Sequence, residues 1–184
     1  MQVTPTELPE VLLIDPKVFG DDRGFFLESW NARRFREATG VDADFVQDNH
    51  SRSARNVLRG IHYQLVKPQG KLVRVVQGTV FDVAVDLRRD SPRFGKWVGF
   101  ELSAENKRQL WIPPGFGHGF LVCSESADFL YKTTEYWMPE HERSLVWNDP
   151  TVGVRWPLHG AAPILAAKDA AAPTLDQAEV FSDD

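Results

Sequence analysis

Short runs rich in Val, Ile, Phe, Trp and Tyr recur between Phe25 and Trp137, set among Gly, Pro, Asn and Asp punctuation. They are Phe25–Trp30, Val57–Gln64, Lys71–Val76, Val80–Asp86, Trp97–Leu102, Arg108–Ile112, Gly119–Ser124 and Ala127–Trp137. β-Branched and aromatic side chains suit a pleated, half-buried surface, so this rhythm predicts many short strands and an all-β fold. Phe81, Val83 and Val85 alternate with Asp82, Ala84 and Asp86, the period-two signature of a strand with one buried face. Gln77-Gly78 before it reads as a hairpin turn. One helix is expected, with Asn31 as N-cap, running to Thr39 and ended by Gly40. The acidic tip Asp183-Asp184 reads as frayed.

A chain of 184 residues, 42% hydrophobic and 26% charged, fits one domain spanning the whole length. Many short antiparallel strands in one domain hide their edges in a closed barrel or in a double-sheet jelly roll. A jelly roll with one or a few short peripheral helices is the expected architecture, and its ligand would lie in the hollow between the sheets.

Composition narrows the function. The net charge of −5 argues against a nucleic-acid or membrane surface, which would want a basic excess. No run approaches the roughly 20 apolar residues that cross a bilayer. The N-terminus lacks the basic start and apolar run of a secretory signal, so the cytoplasm is the expected location. Cys123 is the only cysteine, which leaves no internal disulfide framework or thiolate cluster, and it reads as a buried small hydrophobe. A local basic pocket for one small anion stays open to Arg23, Arg59, Lys71 and Lys168, although a solvated surface charge is the simpler reading of each.

Asn56-Val57-Leu58-Arg59-Gly60-Ile61-His62-Tyr63-Gln64 puts an arginine and a histidine on a segment that otherwise reads as a buried strand. Ionisable groups there must be hydrogen-bonded, charge-paired or turned into a wet cavity, so His62 is either a satisfied core histidine or a working one. Under strict alternation Arg59 and His62 point to opposite faces. Gly60 between them predicts a bulge that rotates both toward one side.

The run Pro113-Pro114-Gly115-Phe116-Gly117-His118 supplies a second histidine at the mouth of an expected strand, and its Pro-x-Gly-x-x-His pattern resembles the second motif of cupin jelly rolls. That histidine is often a metal ligand in cupins. The companion His-x-His is missing here, since Tyr63 and Gln64 follow His62, and two imidazoles alone make a poor metal site. Proton transfer is the chemistry left. An imidazole with an unperturbed pKa of about 6.5 suits a base, and a tyrosine hydroxyl can serve as the acid. Tyr131 shares a face with Phe129 and Thr133, which leaves it open between core aromatic and acid.

The blocks Asn56–Gln64, Gln69–Arg74, Phe81–Asp86, Trp111–Phe120, Tyr131–Thr134 and Trp147–Pro150, taken together and in order, resemble the dTDP-4-dehydrorhamnose 3,5-epimerases. This is a metal-free, cofactor-independent cupin family of bacterial deoxysugar biosynthesis. The resemblance runs from about Arg23 to Asp169. It implies a dTDP-4-keto-6-deoxyhexose substrate and conversion of dTDP-4-dehydro-6-deoxy-D-glucose to dTDP-4-dehydro-L-rhamnose. By the same resemblance His62 is the base, Asp169 the carboxylate that orients it, and Tyr131 the acid on the opposite side. Lys71 would stabilise the enolate at the C4 oxygen. Arg59 and Arg23 would hold the diphosphate. Glu28, Gln47, Asp48, Asn49, His118, Glu142 and Lys168 would be further contacts to sugar, phosphate or base. Trp137 stands where relatives carry a tyrosine against the thymine, which keeps a stacking face and loses a hydroxyl. Family membership further implies a homodimer in which the N-terminal strand of each subunit completes the other's sheet, giving an exposed edge a partner.

Other readings compete. A related epimerase acting at one carbon, C3 or C5, would carry the same His and Tyr. A non-catalytic nucleotide-sugar binding module would have lost part of the His62, Asp169, Tyr131 and Lys71 set, and all four are present. A metal-dependent cupin oxygenase would want the missing His-x-His.

Overall fold

The computed structural model describes residues 1–182, so the acidic tip Asp183-Asp184 lies outside the described residues. In chain order the strands begin with β1 (Gln2–Pro5), β2 (Leu12–Asp15), β3 (Val18–Asp21) and β4 (Gly24–Leu27). Helix α1 (Ala32–Thr39) follows, then β5 (Gln47–Ala54), β6 (Leu58–Gln64), β7 (Lys71–Gln77), β8 (Thr79–Asp86) and β9 (Trp97–Ser103). The chain continues through β10 (Gln109–Ile112), β11 (Phe116–Val122), β12 (Ser126–Thr133) and β13 (Glu142–Ser144) to the one-turn helix α2 (Ala167–Ala170).

A six-stranded sheet, β1-β2-β10-β7-β12-β5, packs against a five-stranded sheet, β13-β6-β11-β8-β9. Strands β3 and β4 form a separate hairpin. This is the expected jelly roll. The core lies between the sheets: Val73 and Val75 of β7, Leu110 and Ile112 of β10 and Phe129 of β12 meet Val80 and Ala84 of β8 and Phe120 and Val122 of β11. Both outer faces are covered as well. Helix α1 lays Phe35 against Leu12, Ile14, Leu72 and Trp111 behind the six-stranded sheet. The C-terminal strap puts Val152, Leu175 and Ala178 on Ile61, Tyr63, Val83 and Val85 behind the five-stranded sheet.

Helix α1 begins and ends as expected. The Asn31 side chain accepts from Arg34 N–H, and Gly40, at φ 73°, donates its N–H to Arg36 O. Several local expectations are corrected. Gln77-Gly78 is no hairpin turn, because β7 and β8 belong to different sheets. Gly78 (φ 74°) instead makes the corner at which the chain changes sheet, and a Cβ there would fall 2.0 Å from Ser126 O. Strand β8 is central and buried on both faces, so Asp82 and Asp86 are fully buried rather than outward-facing. His118 lies inside β11, not at its mouth, since the strand starts at Phe116. The runs expected to extend to Trp30 and Trp137 end as strands at Leu27 and Thr133. Cys123 is half-buried. Strand β5, which reads Gln-Asp-Asn-His-Ser-Arg-Ser-Ala, escaped the apolar rhythm because it is an edge strand whose inner residues face a wet cavity. No helix among the described residues is long and apolar enough to cross a membrane.

Candidate active site

Between the two sheets, at one end of the roll, lies a cavity of about 590 Å³. The five-stranded sheet contributes Arg59 and His62 from β6 and His118 and Phe120 from β11; the six-stranded sheet contributes Lys71 from β7 and Phe129 and Tyr131 from β12. Gln47 and Asn49 of β5 line its rim, and Trp137, Glu142 and the segment Ile164 to Asp169 close it.

The Gly60 bulge is present. His62 pairs with His118 and Arg59 with Phe120, so Gly60 and Ile61 together face Gly119 alone. The backbones approach so closely that a Cβ on Gly60 would lie 2.6 Å from Gly119 Cα. The extra residue brings Arg59 and His62 to the same cavity, while Ile61 packs on the opposite face under the strap.

His62 Nε2 lies 2.6 Å from Asp169 Oδ1, and Gly60 N–H donates to Asp169 Oδ2 at 3.4 Å. Burial pushes the Asp169 carboxyl up, yet the hydrogen bond and charge of His62, the Gly60 N–H and Lys168 outweigh it and hold the group below the usual carboxylate range. With Nε2 committed to the carboxylate, Nδ1 is the nitrogen left to take a proton. Lys71 is only 7% exposed, and its ammonium donates to His62 O at 3.4 Å. Burial lowers its pKa to about 8, against the pull of Glu142 and Asp82. Burial raises the Tyr131 hydroxyl, helped by Glu142 and opposed by Arg59, which keeps it protonated at neutral pH.

At the rim, Arg59 donates to Ser53 Oγ at 3.0 Å and Lys168 to Glu142 Oε2 at 2.6 Å. Burial opposes ionisation of Glu142, but Lys168, His62 and Trp137 together lower its pKa. Trp137 donates its indole N–H to Glu142 Oε1 at 3.4 Å, and its backbone N–H to Gln47 Oε1 at 3.0 Å.

Three of the expected site residues are not brought to this cavity by their own chain. Asp48 lies on the outer face of β5, paired with Lys132 at 2.9 Å, because alternation sends Gln47 and Asn49 inward and Asp48 outward. Arg23 sits at the tip of the β3–β4 hairpin and pairs with Asp21. Glu28 pairs with Arg34 of α1.

Sequence reading missed Asp82. On the inner face of β8, it lies 2.9 Å from His118 Nε2. Burial pushes the Asp82 carboxyl up and the His118 imidazole down, and their mutual contact opposes both shifts. The signal was present as an Asp on a strand with apolar neighbours, but period two assigned it to the solvent side. Gln64 was missed too; its amide accepts from Met138 N–H at 2.8 Å and donates to Tyr136 O at 3.2 Å, holding the loop that carries Trp137. Nor did the sequence reading foresee the stack of Phe120 on Phe129, with centroids 4.2 Å apart, which floors the cavity between His118 and Tyr131.

The family model for dTDP-4-dehydrorhamnose 3,5-epimerase matches residues 5–177. The dTDP-4-dehydrorhamnose 3,5-epimerase of Pseudomonas aeruginosa is 62% identical over 181 residues, covering 98% of this chain and 99% of its own length. That of Salmonella typhimurium is 60% identical over 97% of both chains. The crystal structure of a dTDP-6-deoxy-D-glucose-3,5-epimerase from Legionella pneumophila, solved in complex with dTDP-4-keto-L-rhamnose, superposes with a TM-score of 0.93 at 54% identity, over 96% of this chain and 93% of that one. The chain belongs to the dTDP-4-dehydrorhamnose 3,5-epimerase family, a family of isomerases.

Proposed function

We propose that this protein inverts C3 and C5 of dTDP-4-dehydro-6-deoxy-D-glucose, giving dTDP-4-dehydro-L-rhamnose, by proton transfer between His62 and Tyr131. The observation that carries the reading is their placement: His62 on β6 and Tyr131 on β12 face one cavity from opposite sheets. Inversion at a carbon requires a proton to leave on one side and return on the other. The C4 ketone acidifies the hydrogens on both flanking carbons. His62 Nδ1 takes the proton, and Asp169 stabilises the resulting imidazolium. Negative charge then moves to the C4 oxygen, and the Lys71 ammonium, buried and still charged at pH 7, offsets it in a low-dielectric site. Tyr131, kept protonated by burial, returns a proton from the opposite wall.

The cavity lies within the usual range of roughly 300–1,000 Å³ for small-molecule sites. Arg59 and Lys168 give its rim two cations for a diphosphate, and Trp137 offers a stacking face for the base. Gln47, Asn49, Glu142 and His118 supply the remaining polar contacts.

A second copy completes the assembly in this reading. Phe19, Phe25 and Phe26 of the β3–β4 hairpin are 52%, 65% and 69% exposed. A two-stranded ribbon that buries so little is marginal on its own, and clustered exposed aromatics mark an interface. Docked on a partner, the hairpin would carry Arg23 and Glu28 toward a site that the partner's own copies of these residues do not reach.

Proton NMR of dTDP-4-dehydro-6-deoxy-D-glucose in deuterium oxide, with wild type and His62→Ala side by side, tests the reading. Deuterium is expected at C3 and C5 with wild type alone, with rhamnose formed when a 4-keto reductase is added. Exchange at one carbon would make this a single-carbon epimerase. No exchange with wild type would leave a binding module.

A further inference from the structure

The block Trp147-Asn148-Asp149-Pro150 has no residue in the cavity lining, yet its aspartate is buried to 2% exposure. We infer that Asp149 is a positioning residue, whose carboxylate pins the strap that delivers Asp169 to His62. The inference rests on the reading of His62 and Asp169 as the proton-accepting pair.

Asp169 arrives on α2, a single turn of four residues whose N-cap, Ala166, offers no side-chain hydrogen bond. One turn has no helical stability of its own, so the placement of Asp169 depends on what holds the segment at each end. The near end is fixed by backbone: Ile164 N–H donates to Asn56 O at 2.8 Å, and Leu58 N–H donates to Ile164 O at 3.0 Å. The far end meets the block that follows β13. Val146 N–H donates to Pro173 O at 2.9 Å, and Leu175 N–H donates to Asp149 Oδ2 at 2.7 Å.

The other oxygen, Asp149 Oδ1, accepts from Thr151 N–H and Val152 N–H, both at 2.8 Å. One carboxylate thus holds a turn at residues 149–152 and the return of the strap at residue 175 together. The turn is tied in its own right to the strand that carries the base. Leu145, four residues before Asp149, exchanges both backbone hydrogen bonds with Ile61, the neighbour of His62. Asp149 therefore closes a loop whose two ends are His62's strand and Asp169's turn. Only a group accepting on both oxygens can satisfy all three N–H donors, two of them buried, which is why a carboxylate serves here and an amide or hydroxyl would not.

Asp149→Ser separates the two tasks, since its hydroxyl can still accept from the local turn but cannot reach Leu175. The assay is deuterium incorporation and product formation for wild type, D149S, D169A and the D149S/D169A double variant. The expected result is a fall in kcat of about tenfold or more for D149S with KM changed by less than about twofold, because a displaced orienting group costs turnover and not affinity. Added to D169A, the same substitution is expected to change the residual rate by less than about twofold. An equal loss in both backgrounds, or a lowered Tm with kcat unchanged, overturns the inference. If D169A itself keeps full rate, the His62–Asp169 reading fails first; if D169A is slow and D149S is not, only the role of Asp149 fails. Should D149S not fold, amide exchange on the wild type decides. The Leu175 N–H must be as protected as those of β6, and exchange at loop rates overturns the pinning.

Discussion

Arg59 and His62, three residues apart on β6, reach the same cavity because Gly60 and Ile61 together oppose the single residue Gly119 on β11. The extra residue turns a strand of alternating faces into one that presents two cations or potential cations to a ligand. The bulge is also a packing requirement, since the two glycine backbones leave no room for a side chain between them.

Gly60→Ala tests that requirement. Its Cβ would meet Gly119 Cα at 2.6 Å and His118 O at 2.7 Å, at a φ of 115° that L side chains rarely adopt. The substitution is expected to cost ~2–3 kcal/mol of stability, which lowers Tm by roughly 5–10 °C in a chain of this size. Activity should fall further than stability, because the bulge aims His62. A calorimetric Tm and a kcat both unchanged would refute the packing argument.

Tyr131→Phe removes a hydroxyl without changing the cavity wall. Product formation is expected to drop ~10²–10⁴-fold, while deuterium exchange at the carbon facing His62 persists. Loss of exchange and product in equal measure would mean that Tyr131 acts before the proton leaves, not after.

Lys71 carries a charge that folding resists. Its folded pKa of about 8 lies below the ordinary 10.5, so between those pH values the unfolded chain binds more protons, and stability rises with pH. Below pH 8 the whole cost is present, about 3 kcal/mol. Lys71→Met should therefore be more stable than wild type at pH 7, with the difference shrinking above pH 8, and slower by ~10²-fold. For the wild type, kcat/KM should decline as pH rises through about 8 and the ammonium is lost. A less stable K71M at pH 7 would contradict the desolvation account.

The β3–β4 hairpin offers a separate test. Phe25→Asp with Phe26→Asp should give a monomer by light scattering and a weakened KM. Arg23→Ala should leave the dimer intact and raise KM by ~10-fold or more, the usual worth of a hydrogen bond to a charged group. A wild type that is monomeric at assay concentration would remove the partner from the reading.

Much of this fold was legible in the residues themselves. The punctuated runs of β-branched and aromatic residues located four strands of the five-stranded sheet and three of the six-stranded one, Asn31 and Gly40 bounded helix α1, and Gly60 foretold the bulge, because each of these signals is local. The segment from Gln47 to Ala54 did not register as a strand, because its side chains face water on one side and a polar cavity on the other, leaving no apolar period to read.

What tertiary structure decided is the side on which each charge ends. Period two placed Asp82 toward solvent, but the outer face of β8 is covered by the strap and its inner face looks onto His118, so both faces are buried. Likewise the family resemblance groups Asp48 with Gln47 and Asn49, and the pleat separates them. The sequence by itself determined the strand rhythm, the bulge and the family, since propensity, turn chemistry and motif spacing act within a few residues. Only the folded chain brought Asp169 to His62 across 107 positions and set Tyr131 on the opposite wall, because those encounters depend on sheet order and on a strap anchored far from the residues it positions.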